Sequence, residues 1–88
     1  MDVESVRQRD GWTIQLIAGN REQTVLSLID QYPSLSDILY TRTQRQGQDW
    51  FVGFYGEFSS REAAGKAVDR LPQSLRNQSP WVRQSRNF

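Results

Sequence analysis

The chain has no cysteine and no histidine. Zinc centres built from thiolate and imidazole, cysteine nucleophiles and Ser-His-Asp chemistry are thereby excluded. The missing cysteines say nothing about redox compartment, because reducing and oxidising surroundings both tolerate a thiol-free chain. Long apolar runs are absent too, and nothing approaches the roughly 18 residues a membrane-spanning helix needs. The opening segment "MDVESVRQRD" is polar throughout and holds no apolar stretch of a signal peptide. Charge of one sign is equally scarce. Eleven basic residues face ten acidic ones, for a net charge of +1, well short of a domain built mainly to neutralise phosphates. The acids are scattered (Asp10, Glu22, Asp30, Asp37, Asp49, Glu57, Glu62, Asp69), and no pair flanking a cleft, as glycosidases use, is expected. The chain is therefore read as a non-catalytic domain that needs neither metal nor cofactor.

What is present is a small globule. Eighty-eight residues with 36% hydrophobic and 24% charged side chains suffice for one domain that buries roughly 60–65% of its unfolded surface. Residues 1–10 are charged and aperiodic and read as a flexible lead-in or linker end, with the folded domain over 11–88. "WTIQLIA" (12–18) alternates as a strand. Asn20 with Gln23 approximates a capping box for a helix carrying Val25, Leu28, Ile29 and Tyr32, which Pro33 stops. "DILYTRTQ" (37–44) reads as a second strand, "RQGQD" as a hairpin turn, and "WFVGFY" as a third strand. Ser59 with Glu62 opens a second helix that runs to Pro72. "QSLRN" adds a short turn, and "PWVRQSRN" supplies a fourth strand starting at Pro80. The order β-α-β-β-α-β predicts an α+β, ferredoxin-like sandwich: four antiparallel strands, both helices on one face, and a short extra helix before the last strand.

One stretch has more apolar surface than that fold can bury. "GQDWFVGFYGEF" carries Trp50, Phe51, Phe54, Tyr55 and Phe58. Alternation sends Phe51, Gly53 and Tyr55 toward the helices, leaving Trp50, Val52 and Phe54 on the outer face. Gly53 is then a packing concession beneath a helix. Gln15 and Ile17 of the first strand are expected beside them. Trp81, with Arg83 and Ser85 of the same parity, joins them if Val82 points inward. Trp12 is read as a core or edge residue, and Arg42, Arg45, Arg83 and Arg86 ordinarily as surface charge. An exposed apolar patch of this kind marks a contact surface. Indole faces and an amide suit two ligand classes: nucleic-acid bases, which stack on such sheets, and sugar rings, whose C–H faces meet indole while their hydroxyls and N-acetyl groups bond an amide. An RRM-like RNA-binding domain and a protein-interaction module using the same face stay open as alternatives. The third strand has the aromatic density of an RRM but lacks its initial basic-Gly pair.

"WTIQLIAG" and "FYGEFSSREAAGKAVDRL" resemble the opening strand and the most recognisable segment of the SPOR domain family. "RQGQDWFV" and "LPQSLRNQSPWVR" are similar to its two-tryptophan type, and the likeness runs over about residues 11–86. The resemblance implies the βαββαβ fold. It also implies binding to septal peptidoglycan glycan strands that lack stem peptides, in the periplasm of a dividing bacterium. The domain is then part of a longer inner-membrane-anchored protein, which carries the export signal, and it touches neither membrane nor nucleic acid itself. Other division proteins are further candidate partners. By the resemblance, Gln15, Trp50 and Trp81 hold the glycan, with Thr13, Ile17, Val52, Phe54 and Arg83 as candidate neighbours on the same face. The family's small hydroxyl residue after the first strand falls at Ala18 here.

Overall fold

The alternating, β-branched stretches pair as expected. In the computed structural model, which describes residues 2–35 and 37–88, they form β1 (Trp12–Gly19), β2 (Ile38–Arg45), β3 (Gln48–Phe58) and β4 (Trp81–Gln84). The four make one antiparallel sheet in the order β2-β3-β1-β4. Gln46 and Gly47 close the β2–β3 hairpin with φ of 54° and 78°. Two positive φ values give the loop a twist that matches the strands it joins.

The helices are α1 (Val3–Arg7), α2 (Glu22–Gln31), α3 (Arg61–Val68) and α4 (Gln73–Arg76), and a 3-10 turn (Ser85–Asn87) follows β4. One face of the sheet packs Ile14, Leu16 and Ile38 against Leu28, Ala64, Leu71 and Leu75. This is the α+β sandwich the element order predicts, with the short helix before the last strand.

The caps and ends differ from expectation in detail. Ser60, not Ser59, caps α3, its hydroxyl accepting the Ala63 N–H at 3.1 Å. Glu62 then sits in the first turn, where its charge suits the helix dipole. Arg21 holds the N-cap of α2 without a side-chain bond. Gln23 donates forward to Ser27 Oγ instead of back toward Asn20, a partner one helical turn away. α3 stops at Val68, and tighter turns lead to Pro72, with Leu71 N–H on the Val68 carbonyl. The fourth strand ends at Gln84, because Ser85 N–H bonds the Gly11 carbonyl and the chain turns there.

Two register shifts interrupt the β1–β3 ladder. Between Gln15↔Phe54 and Ile17↔Gly53, β1 has one residue more than β3. Leu16 and Ile17 consequently both project toward the helices: Leu16 is in the core, and Ile17 packs against it. A Cβ on Gly53 would lie 3.0 Å from Ile17 Cγ2 and 3.1 Å from Val25 Cγ1, so the glycine does make room beneath a helix. The second shift places Gly56, with φ of 75°, where a bulge needs a residue free to adopt positive φ.

The outer face is not bare. The charged lead-in, expected to be flexible, forms α1 over Val3–Arg7; Met1 lies outside the described residues. Val3 and Val6, three apart, share one face of α1, and Val6 is fully buried. The helix lies against β2 and the C-terminal turn. Arg7 ties the two ends of the sequence together, donating from Nε and Nη2 to the Phe88 carbonyl at 3.1 and 2.9 Å. The Phe88 ring stands edge-on to Phe54, with centroids 5.2 Å apart. A polar segment with only two valines gives no periodic signal for such a helix, but the burial of Val6 and an arginine donating two N–H groups to one main-chain oxygen place it.

Candidate functional site

What α1 and Phe88 leave open is a hollow of about 180 Å³ on the outer face. All four strands supply its walls, β2 through Thr43 and Arg45. β1 contributes Gln15 and Ala18, β3 contributes Trp50 and Val52, and β4 contributes Trp81 and Arg83. The register explains the grouping: Gln15 is level with Trp81 on one side, and Ala18 is level with Val52 on the other. Trp50 lies further along β3, opposite Thr43 of β2, so it meets Gln15 across the hollow rather than side by side. The three residues proposed from sequence thus line one concavity.

The neighbours proposed with them divide. Val52, 5% exposed, forms part of the floor, and Arg83 lines the wall. Ile17 is on the helix side because of the bulge, which a strict two-residue alternation cannot foresee. Thr13 shares the outer face but is buried; its hydroxyl hydrogen is divided between the carbonyls of Gly56 (2.7 Å) and Tyr55 (3.1 Å). Phe54 also points outward, yet it is 1% exposed because the Phe88 ring covers it. None of these three lines the hollow. Phe88 and Thr43 line it without having been singled out, and Arg45, read ordinarily as surface charge, lines it with them. Arg45 and Phe88 belong to Arg-rich segments that in sequence resemble any solvated turn or tail.

Cations and rings alternate around the hollow. The Arg45 guanidinium lies 4.9 Å from the Trp50 ring centre. Arg83 lies 4.5 Å from the Trp81 ring centre and 4.4 Å from that of Phe88, within the range of cation–π attraction. Arg83 Nη1 donates to Gln15 Oε1 at 2.7 Å, and Nη2 donates to the Asn87 carbonyl. Burial lowers the Arg83 pKa from its ordinary value, though a guanidinium stays charged at neutral pH. With its carbonyl engaged, Gln15 has its amide N–H groups left as donors. Trp81 remains 56% exposed, a large flat surface beside them. Such a site can stack a ring with an apolar face and hydrogen-bond acceptors at its rim.

A family model described as the SPOR domain matches residues 8–84. Over 72 aligned residues the chain is 32% identical to a protein of Serratia marcescens named cell division protein DamX, covering 82% of this chain and 33% of that protein. The chain therefore spans about a third of the length of this curated relative.

Proposed function

Because the chain belongs to the SPOR domain family, we propose that it is a peptidoglycan-binding module. It recognises septal glycan strands lacking stem peptides and brings its parent protein to the division site, on the periplasmic side of the inner membrane. The observation that carries this reading is the convergence of Gln15, Trp50 and Trp81 from three different strands on one hollow. Trp81 offers an exposed indole for the C–H face of a sugar ring, and Trp50 offers a second, partly buried one. The Gln15 amide offers N–H donors for hydroxyl and N-acetyl oxygens. The module binds and breaks no bond; the name of the Serratia marcescens relative, a cell division protein, fits a targeting role.

The open sheet of an RNA-binding domain stacks bases on its central aromatics. Here Phe54, the central outer-face ring, is closed off by Phe88, and the RNA alternative loses the residue it needs most. The test is co-sedimentation of the purified domain with peptidoglycan sacculi before and after amidase treatment. Removing stem peptides is expected to increase the bound fraction, whereas equal binding before and after would count against recognition of peptide-free strands.

A further inference from the structure

The hollow holds two guanidinium groups, Arg45 and Arg83, and no Asp or Glu side chain among the residues that line it. That is unusual for a chain whose charges nearly cancel. The ion pairs among the described residues are Arg7–Glu4 and Arg9–Glu57, so neither arginine of the hollow has an anionic partner there. Arg83 is the more telling of the two. It is half-buried, and it is held between the Trp81 and Phe88 rings. The acceptors of its terminal nitrogens are both neutral: the Gln15 amide oxygen and the Asn87 carbonyl. Its Nε is buried without a hydrogen-bond partner among the described residues. Each terminal nitrogen carries a second hydrogen beyond those bonds. A cation partly withdrawn from water, with no counter-ion, fixed in place and still able to donate, is suited to an anionic ligand group.

We propose that Arg83 binds the carboxylate that removal of a stem peptide uncovers on the glycan. The inference rests on the glycan-binding reading above and gives it a chemical cause. The stem peptide is joined to the lactyl ether of muramic acid through an amide. Hydrolysis breaks that C–N bond; water delivers its oxygen to the carbonyl carbon, and the peptide leaves as an amine. At neutral pH the sugar then bears a carboxylate and the departing peptide an ammonium. The intact strand offers Arg83 only a neutral amide, and the peptide-free strand offers an anion of the shape a guanidinium fork accepts. Preference for peptide-free strands is thus electrostatic, beyond any relief of crowding. Trp50, Trp81 and Gln15 recognise the sugar, and Arg83 recognises its state.

The experiment compares two soluble peptide-free oligosaccharides of equal length, one with free lactyl carboxylates and one with the same groups converted to N-methylamides. Neither carries a peptide, so charge is separated from bulk. Each is titrated calorimetrically against the unaltered domain and against Arg83→Gln, with melting followed to confirm folding. The unaltered domain is expected to bind the carboxylate form about tenfold more tightly, the scale of one charge-assisted hydrogen bond. Arg83→Gln is expected to bind both forms equally. If Arg83→Gln does not fold, Arg83→Met, which keeps an apolar stem between the two rings, takes its place. Equal affinity of the unaltered domain for both forms overturns the proposal and leaves glycan binding intact. A preference that survives loss of Arg83 overturns the assignment to this residue. Binding of neither form removes the glycan reading itself, and the proposal with it.

Discussion

Two aromatic residues on the same strand and the same face of the sheet have opposite surroundings. Trp50 and Phe54 both point away from the helices, but Trp50 is half-exposed at the hollow, and Phe54 is sealed under Phe88. Trp50→Ala is expected to leave the melting temperature nearly unchanged and to weaken binding to peptide-free glycan severalfold, since it removes a large contact surface. Phe54→Ala is expected to cost about 3–5 kcal/mol of stability, as deletion of a fully buried aromatic does. Thermal melts and glycan titrations of the two variants side by side check this; a silent Phe54→Ala would mean that Phe88 does not seal the face. The parity of Trp50, Gln15 and Trp81 was legible in the alternation of their strands. The burial of Phe54 was not, because its cover is a single ring 34 positions further along the chain.

At the level of elements, the sheet order and both long helices could be derived from periodicity and turn chemistry. Each of these elements carries enough repeats to make its period visible. The features that escaped are one residue long or one turn long. The extra residue in β1 turns Ile17 inward without any change in composition. α1 is five residues, too short to be stable by propensity alone; it exists because Val6 is buried and Arg7 binds the Phe88 carbonyl. Val6→Ala should therefore cost roughly 1–3 kcal/mol from lost burial and the space left behind. That is a sizeable share of the roughly 5–15 kcal/mol typical of a domain. Urea unfolding of Val6→Ala measures it. A variant as stable as the parent would show that α1 contributes nothing to the fold.

Over the whole molecule, the charges nearly cancel while the hollow does not. Long-range attraction is weak at a net charge of +1, and the electrostatic contribution to binding comes from a few groups at short range. Affinity for peptide-free glycan is expected to fall by about two- to fivefold between 50 and 200 mM salt, as for one or two charge contacts. A protein making many phosphate contacts loses about 10³–10⁵ over that range. Calorimetric titration at the two salt concentrations distinguishes these cases, and a loss of several orders of magnitude would move the ligand class toward nucleic acid.

The guanidinium of Arg83 also joins parts that the backbone leaves separate. It sits on β4, bonds a side chain on β1, and bonds the Asn87 carbonyl in the turn that carries Phe88. That turn, in turn, is gripped by Arg7 of α1. On the proposed reading, ligand recognition and the closure of the outer face share one side chain. By thermodynamic linkage, whatever a bound strand gains from finding Arg83 in place is returned as added stability of the arrangement that holds it there. An occupied domain is in this sense a more completely folded one, and the segment that gains most is the aromatic end of the sequence, which need not itself touch the sugar.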